Sequence, residues 1–255
     1  MNKDMEKAIL LFNEEKYDEA LALFNEFLKE DPRNAGLLNN IGTIYFKQGD
    51  FDDAIDAYHS GIQADPKLKQ LYKNLSDVYL KKGEVLSAIG ILQDAVAFMP
   101  KENYLRYALA KLYIMDCRGD IAVDELLTII ENDPNHLDAR YDLAKAYFKL
   151  GVYPSACEQY DYILEKIENS AHLFYNAGLA YEANEDIDKA ISNYLKALNV
   201  DETFHPAYKK LALCFLARDE KQDAIEYLED YVQFDIPEEE KISMQKVIER
   251  LKKEN

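Results

Sequence analysis

Acidic pairs are the commonest arrangement in this chain that could do chemistry. Neighbouring carboxylates such as Asp52 and Asp53 could act as a general acid and a general base. The chain holds 48 acidic residues, however, so such pairs are expected on solvated helix starts. The sequence contains no phosphate-cradling glycine loop, no nucleophile elbow, no CxxC and no HExxH. We therefore expect a protein that is not an enzyme.

Histidine and cysteine give no metal or redox pattern. The four histidines are scattered along the sequence and make a poor ligand set: His59, His136, His172 and His205. The three cysteines, Cys117, Cys157 and Cys214, are odd in number, which predicts reduced thiols that are packed and not reactive. We expect no metal, no cofactor and a cytoplasmic location.

Charge and hydropathy exclude other classes of partner. The net charge is −18, so the protein repels phosphate backbones and anionic membrane surfaces. The apolar run from Ala8 to Phe12 is too short for a signal peptide. No stretch approaches the roughly 18 apolar residues that span a bilayer. We expect neither nucleic-acid binding nor membrane insertion.

An internal repeat organises the whole chain. Alanine recurs every 34 residues, at Ala20, Ala54, Ala88, Ala122, Ala156, Ala190 and Ala224. A fixed period of this length is typical of a solenoid, in which each unit packs only on its neighbours. Counting repeats from residues 1, 35, 69, 103, 137, 171 and 205 places each alanine at position 20.

Each repeat predicts two helices. In the second repeat, apolar residues recur at helical spacing on both sides of Gly49, a residue suited to positive φ at a helix end. Asp65 and Pro66 then end the second helix. Position 8 is small in every repeat, and we expect it to face the position-20 alanine so that the helices approach closely. The residues at position 8 are Ala8, Gly42, Ser76, Ala110, Ala144, Gly178 and Ala212.

These residues carry a family resemblance. Gly42, Tyr45, Ala54, Tyr58 and Pro66 match the small, aromatic, alanine, aromatic and proline positions of a tetratricopeptide repeat, which the chain resembles over residues 1–238. The resemblance implies an all-α, right-handed α-solenoid of seven helix–turn–helix repeats plus a C-terminal capping helix. The predicted repeats are 1–34, 35–68, 69–102, 103–136, 137–170, 171–204 and 205–238, and the cap is 239–255.

Position 4 departs from the family pattern, and the segment after the last repeat needs its own interpretation. The large residue of position 4 is replaced by Arg106 and by Arg140, which we expect to weaken the joints of those repeats. The segment after Pro237 is amphipathic, with Met244 and Ile248 on one side. We interpret it as a solvating cap, and a docking helix for a partner is the alternative.

The resemblance also implies a binding groove, in which positions 2, 5, 6, 9, 12 and 13 line the concave face. Those positions hold eight lysines and five acids, a net charge of +3 inside a protein of −18. This favours an extended ligand of neutral or acidic character. The candidate groove residues are Asn40, Lys73, Asn74, Tyr104, Tyr107, Lys111, Tyr141, Lys145, His172, Tyr175, Asn176 and Lys210.

The candidates have distinct roles. Asparagine at position 6 can pair with the backbone of an extended peptide, and tyrosine at position 5 offers a large amphipathic contact. The alternative is that these are ordinary groove residues of the family with no partner-specific role. A carboxylate clamp of the kind found in chaperone-tail receptors is not expected, because only Asn176 matches its pattern.

The sequence therefore predicts a scaffold or adaptor that binds a protein or peptide partner in its groove. The alternative is a self-associating solenoid or a spacer within a larger assembly. RNA binding, as in other helical-repeat arrays, is disfavoured by the period and the acidic charge.

Overall fold

The computed structural model describes residues 3–167 and 169–253, and the regular structure in those ranges is entirely α-helical. The helices are α1 (Lys3–Asn13), α2 (Tyr17–Glu30), α3 (Ala35–Gln48), α4 (Phe51–Ala64), α5 (Lys69–Lys81), α6 (Val85–Phe98), α7 (Asn103–Met115), α8 (Gly119–Asn132), α9 (Leu137–Lys149), α10 (Tyr153–Leu164), α11 (Ala171–Ala183), α12 (Ile187–Val200), α13 (His205–Ala217), α14 (Lys221–Tyr231) and α15 (Glu238–Lys253). The predicted all-α fold class is confirmed.

The helices keep the period of the sequence. From α3 to α13 every odd-numbered helix begins 34 residues after the one before it, and from α2 to α14 every even-numbered helix does so too. We call the odd-numbered helices α1–α13 first helices and the even-numbered helices second helices. The division into seven repeats and a cap remains our proposal. The two terminal residues at each end of the chain lie outside the described ranges.

The chain forms two compact units, which end and begin at Pro134 and Asn135. In the amino-terminal unit each first helix packs against its second helix, and α3, α5 and α7 contact one another in turn. In the carboxy-terminal unit α9 pairs with α10, α11 with α12 and α13 with α14, while α15 packs on α14. Within the amino-terminal unit, neighbouring first helices thus share a surface.

Every turn inside a helix pair uses the same backbone conformation. Position 15 has positive φ in all repeats: Glu15, Gly49, Gly83, Cys117, Gly151, Glu185 and Asp219. Three of these residues are glycine, the type expected at a positive-φ helix end. The other four hold a left-handed conformation that costs an L-residue about 1–2 kcal/mol. The turn geometry is therefore set by the helix pairing and tolerates a local penalty.

Close approach of the two helices explains the small residues. All seven position-20 alanines are fully buried, and so are the small residues of position 8 that are alanine. At Gly42 a β-carbon would lie 2.7 Å from Cε1 of Tyr58, which is closer than real contacts allow. Position 8 must therefore be small because the position-24 ring lies against it, and its expected contact with the position-20 alanine stays a prediction.

The arginines at position 4 have polar partners, and their expected weakening of the repeat stays a prediction. Arg106 donates to Glu125 at position 23 of the same repeat and to the carbonyl oxygen of Pro100 at 3.1 Å. Arg140 donates to Gln159 at 2.8 Å. Its guanidinium also lies 3.7 Å from the ring centre of Tyr162. Polar pairs between positions 4 and 23 therefore replace the apolar contact of the family pattern.

The last helix covers an apolar surface. Ile248 and Leu251 of α15 are buried against Leu228 and Val232, with Met244 and Val247 packed at the margin. Lys209 of α13 donates to Glu240 at 2.6 Å, and Tyr231 of α14 donates to the same carboxylate oxygen at 3.0 Å. This packing fits the cap interpretation of the segment.

The cysteines separate into two environments. Cys157 and Cys214 are buried, and burial raises the pKa of each thiol to about 11. Cys117 is exposed at one of the positive-φ turns. The expectation of packed thiols holds for two of the three.

Candidate functional site

A chain of amide and hydroxyl groups crosses the first helices of the amino-terminal unit. Tyr104 of α7 donates to Oε1 of Gln70 at 3.2 Å, and Gln70 donates to Oδ1 of Asn74 at 2.9 Å. Asn74 in turn donates to Oδ1 of Asn39 on α3 at 2.8 Å. In this ladder the oxygens of Asn39 and Gln70 accept from the following repeat, and the oxygen of Asn74 accepts from the preceding turn of α5. Side chains therefore tie three successive first helices together.

The ladder uses Asn39 and not Asn40. Asn40 is half-buried, and no hydrogen bond joins its side chain to the other residues that the structure describes. Sequence reasoning missed Asn39 and Gln70, although they occupy positions 5 and 2, which the family places in the groove. Counting every polar residue at those positions, and not only repeated types, would have found both.

Three of the candidate lysines already face carboxylates. Lys73 contacts Asp77 at 2.5 Å one turn along α5, and Lys145 lies 3.7 Å from Asp142. Lys210 of α13 pairs with Glu182 of α11 at 3.0 Å. These contacts reduce the positive potential that the charge count predicts for the first helices.

Two other candidates pair with each other. The ammonium of Lys111 lies 5.6 Å from the centre of the Tyr107 ring, within the range of a cation–π contact. The fifth repeat has the same arrangement at positions 5 and 9, where Lys145 lies 5.2 Å from the ring centre of Tyr141.

A pocket of about 270 Å³ opens between α9 and α11 in the carboxy-terminal unit. We call it the tyrosine pocket, and its lining residues are Tyr141, Lys145, Phe148, Lys149, Tyr160, Asn176 and Leu179. All of them except Tyr160 occupy groove positions of the family pattern. The pocket therefore lies where the sequence analysis places the binding surface.

The floor of the tyrosine pocket is aromatic and its position is fixed by polar contacts. The rings of Tyr141 and Tyr160 meet edge to face with their centres 6.2 Å apart. Asn176 donates from Nδ2 to the hydroxyl of Tyr141 at 2.9 Å, which joins α11 to α9. Tyr160 is buried, and burial raises its pKa well above the ordinary value, so the ring stays neutral.

Lysines form the rim of the same pocket. Lys145 is held near Asp142 and the Tyr141 ring, whereas Lys149 is exposed. No carboxylate among the described residues lies within ion-pair distance of Lys149. The pocket thus combines an apolar floor, a carboxamide and an available positive charge.

Models of the tetratricopeptide repeat match residues 5–69 and 107–171, residues 45–112 and residues 171–204. The chain belongs to the tetratricopeptide-repeat family. A comparison with curated proteins found no match.

Solved structures of tetratricopeptide-repeat proteins share the fold. The C-terminal part of a TPR repeat-containing protein from Cytophaga hutchinsonii aligns with a TM-score of 0.78 and 18% identity, over 94% of this chain and 98% of that one. YrrB, described as a TPR protein with an unusual peptide-binding site, aligns with a TM-score of 0.61 and 21% identity, over 72% and 95%. MamA from Desulfovibrio magneticus RS-1 aligns with a TM-score of 0.60 and 21% identity, over 65% and 93%.

The predicted site residues of this tetratricopeptide-repeat protein fall into separate groups. Asn74 and Tyr104 belong to the ladder, while Tyr141, Lys145 and Asn176 come together in the tyrosine pocket. His172 and Tyr175 pack edge to face on Phe204, with ring centres 4.8 and 5.3 Å away, respectively. Each of these groups lies within one of the two compact units.

Within residues 3–167 and 169–253, no group of three or more His, Cys, Asp or Glu side chains is placed to hold a metal ion. None of the helices in those ranges has the length and apolar character needed to cross a bilayer.

Proposed function

We propose that this protein is a non-catalytic scaffold that binds an extended protein segment along its first helices, with the tyrosine pocket as the anchor. The observation that carries the proposal is the pocket itself, which places an aromatic floor, Asn176 and an unpaired Lys149 beside one another. We further propose that the protein acts in the cytoplasm and does not bind nucleic acid, as its charge of −18 favours.

The chemistry of the pocket indicates which segment it takes. An aromatic or long aliphatic side chain would cover the rings of Tyr141 and Tyr160, and its apolar surface would be removed from water there. Asn176 uses its amide nitrogen on Tyr141, so its carboxamide oxygen is available for a peptide N–H. Lys149 would pair with a carboxylate beside the anchor. We therefore infer a segment in which an apolar residue adjoins an acidic one.

The fold gives general support. Tetratricopeptide repeats serve as protein-interaction scaffolds, and YrrB carries a peptide-binding site on the same architecture. Self-association of this chain, or a spacer role in a larger assembly, is the alternative. Light scattering on the free protein and on its peptide complex distinguishes the alternative from peptide binding.

A short capped peptide of serine and glycine that carries one Phe–Asp pair is a direct probe. We expect saturable binding to the full chain, and replacement of Asn176 and Lys149 by alanine together should weaken it about tenfold, the value of one or two lost hydrogen bonds. The measurement is isothermal titration calorimetry.

A matched control uses the same repeat positions elsewhere in the chain. Asn74 and Lys81 occupy positions 6 and 13 in the third repeat, as Asn176 and Lys149 do in the sixth and fifth. Replacing Asn74 and Lys81 by alanine should leave the affinity unchanged. Equal losses in both double variants, or no saturable binding to the wild type, would overturn the proposal.

A further inference from the structure

A second cleft lies on the other side of α11. Its volume is about 520 Å³, and we call it the charged cleft. Its lining residues are Asp161, Leu164, Glu165, Phe174, Tyr181, Lys189, Ser192, Asn193 and Lys196. They come from α10, α11 and α12 and include none of the residues of the tyrosine pocket. The proposed groove function does not use this surface.

The sixth repeat differs from the fourth, fifth and seventh repeats in its side chains at positions 4 and 23. In the fourth and fifth repeats these positions pair as Arg106 with Glu125 and Arg140 with Gln159. In the seventh repeat the two positions are both tyrosine, and the ring centres of Tyr208 and Tyr227 lie 6.2 Å apart.

The sixth repeat has Phe174 at position 4 and the shorter Asn193 at position 23. Asn193 donates from Nδ2 to the carbonyl oxygen of Lys189 on its own helix at 2.9 Å. It is therefore directed along α12, whereas Tyr227 at the same position of the seventh repeat packs on Tyr208.

The two walls of the charged cleft carry opposite charges. Asp161 lies in the last turn of α10 and Glu165 follows directly after that helix, while Lys189 and Lys196 lie two turns apart on α12. No ion pair between the described residues joins the two walls. Lys189 forms a weak pair at 3.7 Å with Asp186, which lies on the same side of the cleft. The charges are therefore available to a ligand.

Aromatic rings form the floor and hold the lysines in place. The ammonium of Lys189 lies 4.8 Å from the ring centre of Tyr181, and that of Lys196 lies 5.8 Å from the ring centre of Phe174. The Tyr181 hydroxyl donates to Asp161, which fixes that carboxylate at the edge of the floor. These contacts leave the floor apolar and the charges at the rim.

We propose that the charged cleft binds an extended peptide in which a basic residue is next to an acidic one. Successive side chains of an extended chain point to opposite sides, so the basic side chain meets Asp161 and Glu165 while the acidic one meets Lys189 and Lys196. The exposed Ser192 hydroxyl donates to or accepts from the peptide backbone between the walls. A ligand of one charge sign would face repulsion from one wall.

The test compares four capped peptides that differ only in their central pair: Arg–Glu, Arg–Arg, Glu–Glu and Ala–Ala. We expect saturable chemical-shift changes in α10 and α12 of the full chain with the Arg–Glu peptide alone. Asn193→Tyr places a larger side chain in the cleft, and should weaken that binding at least about tenfold, the loss expected when charge-assisted contacts are broken. Unchanged binding to Asn193→Tyr would overturn the proposal.

A second variant reports on charge and not on shape. Lys189 and Lys196 are both exposed, and replacing the two together by glutamate makes both walls acidic. This variant should bind the Arg–Arg peptide more tightly than the Arg–Glu peptide, and an unchanged order of preference would contradict the assignment. Replacement of Asn176 and Lys149 by alanine should not affect any of the four peptides, which separates this site from the tyrosine pocket.

Discussion

The ring of Tyr194 lies directly against the backbone of Gly178, so closely that a β-carbon on the glycine would stand 2.5 Å from Cε1 of the ring. The hydroxyl of Tyr194 donates to Glu182 at 2.6 Å, which prevents the ring from moving aside. Tyr194 is fully buried between α11 and α12. The pair therefore fixes the distance between the two helices of its repeat.

Gly178→Ala should lower the free energy of unfolding by about 1–2 kcal/mol, because overpacking outweighs the better helix propensity of alanine. Urea denaturation followed by circular dichroism measures the change. In the seventh repeat the places of Gly178 and Tyr194 are taken by Ala212 and Leu228. Tyr194→Leu should therefore relieve the clash when it is combined with Gly178→Ala. Strict additivity of the two substitutions would show that the close contact is not the cause.

Glu185→Gly should stabilise the protein. Glu185 has φ of 62°, a conformation that costs an L-residue about 1–2 kcal/mol, and glycine removes this cost while adding about 0.5–1 kcal/mol of chain entropy. We expect a net gain of about 0.5–1 kcal/mol in the free energy of unfolding. Glu158→Gly, on an exposed site inside α10, should instead lose about 1 kcal/mol. A loss at both sites would contradict the turn argument.

Arg106→Ala should cost about 2–3 kcal/mol, because it leaves the largely buried carboxylate of Glu125 without its partner. The third repeat carries Tyr72 and Ile91 at the same two positions. Replacing Arg106 by Tyr and Glu125 by Ile together should therefore recover most of the loss. Thermal unfolding of the three proteins tests this, and a double variant no better than Arg106→Ala would rule out a local pair.

Acidification should loosen α15. Hydrogen bonds from Lys209 and then Tyr231 hold the pKa of Glu240 below its ordinary value of 4.5. A lowered pKa in the folded state means that the stabilisation is present above pH 4.5 and is lost as the pH falls through the folded value. The protection factors of the α15 amides, which compare their hydrogen exchange with the intrinsic rate at each pH, should fall over that range in the wild type and not in Glu240→Gln. Glu239→Gln, at an exposed neighbour, should behave as the wild type does.

Much of this fold could be read from the sequence because its determinants are local and repeated. The alanines of position 20 and the turn at Gly49 recur at fixed spacing, so the helix pairs could be predicted. The pairing of Arg106 with Glu125 could not, because a charged residue at an apolar position has no signal that names its partner.

The candidate site was harder to predict than the fold. The register placed Tyr141, Lys145 and Asn176 on neighbouring helices, where they do line one pocket. The ion pair of Lys210 with Glu182 joins residues 28 positions apart, and charge counting over separate positions cannot see it. The charged cleft joins residues from three successive helices, and nothing in the sequence alone indicates that their side chains leave an opening.

Helix α11 contributes Asn176 and Leu179 to the tyrosine pocket, and Phe174 and Tyr181 to the charged cleft. A ligand that shifts this helix from one side changes the free energy of binding on the other side, and thermodynamic linkage makes the effect mutual. Two peptides bound at these sites would therefore act as heterotropic effectors of each other, with the thirteen residues of α11 as the shared element.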